Sequence, residues 1–294
     1  HKLRKIENPK DSNVTLLFIN TKMPISWKRA LVILVSIGLL YVIGIMYIYI
    51  FIDNVIFSPK KHSKAYTYNI NIPFRINKIV HPNQEYLESL WFEHQSPVKK
   101  GVVLYLHGAK ESCEYWSQFV PIFTSLGFDV LMPEYRGFGK SPGKTSEFNL
   151  YQDALTSYYW LEKIIPSDSI LIYGEGIGAV AAANVGSQST ARMVILENPI
   201  LSIREWIRNR YQALLIYREL KYDFKLIDYL PQCQSTVLSI YSECNEQFKK
   251  EDISILLNMM PDPKNAFSLS CEKAVVMGQR EDYQKLIEKI LSNF

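Results

Sequence analysis

The chain has 294 residues, nearly half of them hydrophobic, so it can bury a large core and still carry a tether. Its net charge of +4 is too small, and its basic residues too scattered, to imply a nucleic-acid partner. Its four cysteines (Cys113, Cys233, Cys244, Cys271) form no CxxC pair, so spacing predicts neither a metal site nor any other cofactor.

Residues 1–27 are polar and mixed and read as an N-terminal arm. Ala30 to Ile52 then runs uncharged for about 23 residues, enough to cross a bilayer as a helix. A cleaved signal would have a shorter apolar core and a small-residue cleavage site, so residues 28–53 are expected to be a retained transmembrane helix. Lys22, Lys28 and Arg29 crowd its N-terminal flank. That bias places the N-terminus in the cytoplasm and the C-terminal domain outside a cell (inner) membrane.

Residues 54–294 form the second region. Tyr66 to Ile72, Ile76 to Val80 and Tyr86 to Phe92 alternate as antiparallel strands would. From Gly101 the pattern changes to continuous apolar runs, at 101–106, 128–132, 169–173, 193–196 and 236–241. Helical spacings separate them at 115–126, 150–165 and 179–185. Ile253 to Met260 and a short run at Ala274 to Met277 follow, and Tyr283, Leu286, Ile287, Ile290 and Leu291 line one face of a last helix. Buried strands alternating with helices predict an α/β fold, a mostly parallel sheet covered on both faces.

The stretch Ser169-Ile-Leu-Ile-Tyr-Gly-Glu-Gly-Ile-Gly178 reads as strand, glycine turn and helix start. This is the setting of a Gly-x-Ser-x-Gly nucleophile elbow, but its middle residue is Gly176, which has no side chain to present. A dinucleotide Gly-x-Gly-x-x-Gly turn does not fit either, because Ala179 stands where the third glycine belongs.

Other stretches join it: Phe57-Ser-Pro-Lys60, Tyr105-Leu-His-Gly108, Tyr135-Arg-Gly-Phe-Gly-Lys-Ser141 and Glu197-Asn-Pro199. With these, residues from about 36 to 294 resemble the membrane-anchored branch of the α/β-hydrolase superfamily, found in bacteria and related to the ABHD13/BEM46-like serine hydrolases. The resemblance implies an α/β-hydrolase fold with an eight-stranded, mostly parallel sheet. It also implies a helical insertion at about 200–230 over the mouth of the site, made apolar by Trp206, Tyr211, Leu214, Leu215, Ile216 and Tyr217; packing of an ordinary excursion explains that stretch equally well.

Carried onto this sequence, the family's Ser–Asp–His order finds Gly176 for the serine and Asn245 for the acid. Glu243 or Glu246 is the substitute acid to consider. The histidine is missing: Met277-Gly-Gln279-Arg280-Glu-Asp stands in its loop, and no histidine follows His107. The backbone N–H groups of Ala109 and Ile177 would remain as an oxyanion hole, able to hold an anion or carbonyl. His107 is expected to buttress the oxyanion loop and Ser141 to shape a turn. Ser112 and Ser117 lie near the mouth with no base expected beside them. Glu175 is the one ionisable side chain on the elbow, and a base role for it would require a positioned water.

The loss of all three positions implies a pseudoenzyme, as in the non-catalytic N-myc downstream-regulated family. Three functions are to be distinguished. The chain could be a membrane-tethered interaction or structural subunit whose partners are the lipid bilayer and other membrane-complex subunits. It could be an esterase, lipase or thioesterase with a rearranged site. It could be a lipid- or acyl-binding protein using an old substrate pocket.

Overall fold

The computed structural model describes residues 26–81, 85–210, 220–243, 250–271 and 277–292. The chain divides into two compact units, His1–Gly44 and Ile45–Phe294. Helix α1 (Trp27–Ile56) begins in the first unit and ends in the second. Its span Trp27–Tyr47 has a mean hydropathy of 2.5, long and apolar enough to cross a membrane, and leaves side chains such as Leu34 and Leu40 exposed.

The second unit is built on an eight-stranded sheet among the described residues. Its strands are β2 (Arg75–Val80), β3 (Tyr86–Phe92), β4 (Gly101–Leu106), β6 (Phe128–Pro133), β7 (Ile170–Glu175), β8 (Met193–Glu197), β9 (Thr236–Ser242) and β10 (Ala266–Leu269), in the order β10-β9-β8-β7-β4-β6-β3-β2. The pairs β2–β3 and β3–β6 are antiparallel, and every other pairing is parallel. Two-residue strands β1 (Ser58–Pro59) and β5 (Lys110–Glu111) pair separately.

Helices cover both faces. Val102, Leu104 and Leu106 of β4 and Ile170 and Ile172 of β7 point into one core with α4 (Glu147–Glu162) and α5 (Ile177–Gly186). Val103, Tyr105, Leu171 and Tyr173 point into the other. That second core includes Cys113 of α2 (Cys113–Trp116), Phe123 of α3 (Pro121–Thr124), and Tyr283, Ile287 and Leu291 of α8 (Glu281–Ser292). Strands buried on both faces cannot alternate with polar residues, which is why they read as continuous apolar runs.

Three expectations change. Tyr66 to Ile72 is irregular and forms no strand. The helical spacing at 115–126 is broken into α2, a 3-10 turn at Ser117–Phe119 and α3, since Pro121 can start a helix but cannot lie inside one. Among the described residues the last strand is Ala266–Leu269. Of the run expected at 274–277, residues 274–276 lie outside the described residues and Met277 opens a 3-10 turn. The insertion at about 200–230 is described at its ends. There α6 (Ile203–Arg210) and residues 220–232 pack Ile203, Ile207, Leu220, Phe224 and Leu230 into the core around α4 and α5. Tyr211, Leu214, Leu215, Ile216 and Tyr217 lie outside the described residues. Helix α7 (Lys250–Met259) follows β9 and matches the spacing at 253–260.

Candidate functional site

Parallel β4 and β7 are neighbours, with Leu106 opposite Gly174, so the loops that leave their C-terminal ends emerge side by side. The β7 loop is a single tight turn. Gly176 has φ 59° and ψ −114°, caps α5, and donates its N–H to the Glu197 carbonyl at 3.0 Å. This is the backbone geometry of a nucleophile elbow, strained for a residue with a side chain but relaxed for glycine.

The flanking glycines are required by packing. A Cβ on Gly178 would stand 2.1 Å from the Leu106 carbonyl oxygen, and one on Gly174 would stand 2.2 Å from the Gly178 carbonyl oxygen. A Cβ on Gly176 would meet nothing within 4 Å. The space for a nucleophile is therefore present while the nucleophile is not.

Ile177 is the first residue of α5, so its N–H has no acceptor within the helix. Ala109 lies on the β4 loop, and its carbonyl accepts the Ser58 N–H at 3.0 Å. The Phe57-Ser-Pro-Lys60 motif thus ties the segment after α1 to the oxyanion loop. Both expected oxyanion residues sit on the two loops that the sheet brings together.

Among the described residues, the other expected positions supply no base or acid to Gly176. Asn245 and Glu246 lie outside the described residues, and Glu243 is exposed. Gln279 is exposed and bonds Gln118 at 3.1 Å. Arg280 is buried and committed, donating to the Ser270 carbonyl at 2.7 Å and through Nε to Asp282 at 2.9 Å. Ser141 shapes its turn as expected, accepting the Glu88 N–H at 2.9 Å and donating to the Glu134 carbonyl at 2.7 Å. Ser117 donates to the Glu114 carbonyl at 2.7 Å.

Ser112 corrects an expectation. His62 Nε2 lies 3.1 Å from Ser112 Oγ and 3.6 Å from Glu114 Oε2, so a hydroxyl, an imidazole and a carboxylate do converge. Fifty residues of sequence separate Ser112 from His62, and only the docking of the segment after α1 brings them together. Glu114 is held in turn by Tyr66 Oη at 2.9 Å and the Asn69 N–H at 2.7 Å. Hydroxyl and carboxylate face the same ring nitrogen, however, whereas a relay needs one on each. Ser112 is also fully buried. Burial lowers the His62 pKa, only partly offset by Glu114.

Below the elbow lies a cavity of about 90 Å³ that includes Trp116, Glu175, Glu197, Asn198, Met277 and Gly278 in its lining. It has room for a few waters but is itself well short of the several hundred Å³ that an acyl ligand needs. Burial raises Glu175 to about 7 against the opposing pull of Lys110, and its carboxylate lies against Gly108, where a Cβ would meet it at 2.1 Å. Glu197 is also raised to about 7 by burial, with Tyr283 Oη donating to it at 2.8 Å and Tyr173 Oη as a second donor. Asn198, with φ 44°, accepts the Ser242 N–H at 3.0 Å. Sequence reading gave Glu197 and Asn198 no role beyond matching a family motif. A carboxylate at the end of a buried strand was the available signal.

His107 is fully buried between Tyr135 and Phe138, and its Nδ1 donates to the Gly108 carbonyl at 2.9 Å, the buttress expected of it. Burial drops its pKa to about 4. Burial pushes nearby Glu134 up to about 8.

A family model described as serine aminopeptidase, S33, matches residues 97–251. Among curated proteins, the chain is 31% identical over 146 residues to the lysophosphatidylserine lipase ABHD12 of Danio rerio, covering 47% of this chain and 38% of that protein. It is 28% identical over 138 residues to human protein ABHD12B, covering 44% and 38%. The match therefore spans under two-fifths of the length of these relatives. Among solved structures, an esterase of Pyrococcus furiosus superposes with a TM-score of 0.62 at 15% identity, covering 81% of this chain and 97% of that one. An α/β-hydrolase of Vibrio vulnificus gives 0.60 at 21% identity, covering 75% and 81%. Identities this low establish the fold.

Proposed function

The chain belongs to the serine aminopeptidase S33 family of α/β-hydrolases, and on that premise we propose that it is a pseudoenzyme within it. In this reading α1 tethers the fold to a cell (inner) membrane, with the N-terminus cytoplasmic and the domain outside. The protein works there as a structural or interaction subunit of a membrane complex. The observation that carries this reading is Gly176: an elbow with its backbone geometry, its packing glycines and free space, but no nucleophile. Arg280, bound to Ser270 and Asp282 in the loop of the missing histidine, supports it. Without a nucleophile and base, two oxyanion donors polarise a carbonyl but have nothing to attack it with.

A second reading follows from one observation. One relative named above is a lysophosphatidylserine lipase, and Ser112 with His62 is a hydroxyl–imidazole pair at 3.1 Å. If the turn around Ser112 opened, this pair would give an esterase with a displaced site.

The test is purification in gentle detergent, identification of co-purifying chains, and assay with p-nitrophenyl esters and a fluorophosphonate label. A defined assembly with no ester turnover and no labelled serine is expected. Turnover and labelling that disappear in Ser112→Ala would replace the first reading with the second.

A further inference from the structure

Three side chains near the elbow, none of them a member of the lost triad, converge inside the protein. His107 ends the run after β4, Cys113 is the first residue of α2, and Glu134 follows β6. All three are fully buried, and one donor atom from each lies within 4.8 Å of the others. We infer that His107, Cys113 and Glu134 bind a divalent transition-metal ion, zinc by donor type, which pins the oxyanion loop to the end of β6.

The hydrogen bonds leave two of the donors in the state a metal requires, while the third, the Cys113 thiol, donates to the Met132 carbonyl at 3.5 Å, a bond the ion would displace with loss of the thiol proton. His107 Nδ1 donates to the Gly108 carbonyl at 2.9 Å, so the lone pair lies on Nε2, which makes no hydrogen bond. Metal-bound histidines are fixed in this way, with the far nitrogen on a backbone carbonyl. Glu134 Oε1 accepts the Cys113 N–H at 2.9 Å, while Oε2, though buried, makes no hydrogen bond. Nε2 and Oε2 stand 3.9 Å apart, beyond hydrogen-bond reach. Ligands of a tetrahedral zinc at its usual bond lengths stand about 3.3–3.8 Å apart, so a contraction of up to about 1.5 Å closes the set.

Packing fixes the carboxylate. A Cβ on Gly139 would come within 2.4 Å of Glu134 Cδ and Oε1, so the Tyr-Arg-Gly-Phe-Gly loop leaves Glu134 no other course. Charge agrees as well. One neutral imidazole, one thiolate and one carboxylate neutralise a dication, whereas the same groups charged and without an ion would be costly to bury. A mixed nitrogen, sulfur and oxygen set favours zinc over calcium or magnesium, which take oxygen alone. Among the described residues no fourth His, Cys, Asp or Glu joins the group. Sequence spacing gave no sign of this site, because its donors come from three elements and form no CxxC or HxxxH pattern.

The experiment uses the full chain in mild detergent after growth with added zinc. Elemental analysis is expected to find about one zinc per chain that survives a chelating column, with at least about a tenfold loss in Cys113→Ser and in Glu134→Gln. Cobalt-loaded wild-type protein is expected to show a thiolate-to-cobalt charge-transfer band that Cys113→Ser lacks. Wild-type protein that melts cooperatively yet carries under about a tenth of an equivalent and gives no such band overturns the inference. So does zinc content unchanged in folded Cys113→Ser and Glu134→Gln. Should both variants fail to fold, the wild-type cobalt spectrum decides alone.

Discussion

Arg280 donates to the carbonyl of Ser270 at 2.7 Å, closing the return between β10 and α8 with a guanidinium where the family's catalytic order calls for an imidazole. The side chain is 4% exposed and also grips Asp282 at the start of α8. Arg280→Ala is expected to remove the donor of the exposed Ser270 carbonyl and free the first turn of α8, costing about 1 kcal/mol. Urea denaturation followed by circular dichroism measures it. A loss under half a kilocalorie would mean the loop is held elsewhere.

The elbow separates two glycine functions. Gly176→Ser has free space for its side chain and keeps a positive φ, so it is expected to fold at a cost of about 1–2 kcal/mol. It is expected to gain no ester turnover, because among the described residues no histidine and acid stand in place to activate the hydroxyl. Gly178→Ala has no such space. Its Cβ would be driven into the Leu106 backbone, and a loss of about 3 kcal/mol or more is expected. Comparing the two melting temperatures tests the pair, and equal losses would contradict the packing argument.

Glu197 predicts a pH dependence. It is buried beside Tyr105, Tyr173, Tyr283 and Glu175, and its folded pKa of about 7 exceeds the ordinary 4.5. Between those values the folded chain holds a proton that the unfolded chain has released. Stability is therefore full below about 4.5 and falls as pH rises through 7, by up to about 3 kcal/mol. Melting is expected roughly 5–10 °C lower at pH 8 than at pH 5 from this group. Glu197→Gln, which cannot ionise, is expected to flatten the slope; an unchanged slope would assign the effect elsewhere.

Asp153 receives the Arg136 backbone N–H at 2.7 Å and its Nε at 2.6 Å, both out of solvent. Asp153→Asn leaves the guanidinium without its counter-charge. A cost of about 3–5 kcal/mol is expected by chemical denaturation. A nearly neutral result would show that Glu85, 3.9 Å from Arg136 Nη1, takes over the charge.

The central strands were legible because burial on both faces writes an unbroken apolar run, as in Gly101-Val-Val-Leu-Tyr-Leu106. The elbow was legible because close packing demands glycine at Gly174 and Gly178 whatever the chemistry. Strand β10 was not. Ala266-Phe-Ser-Leu269 is a short edge strand, partly exposed, and too brief for a pattern to repeat. Tyr66 to Ile72 alternates like a strand, but its tyrosines are spent elsewhere: Tyr66 stacks on His62 and bonds Glu114, and Tyr68 bonds Glu88. The convergences at Ser112 and at Cys113 were illegible for a common reason. Both join residues that are distant in sequence through docking of the segments around them, and no local spacing encodes that.

All ten residues of α5, Ile177–Gly186, are buried, and most are alanine, glycine or valine. A helix with no solvent side cannot fray outward or detach by itself. Its amide protons should therefore exchange with deuterium only when the whole sheet comes apart, making this segment the slowest clock in the molecule.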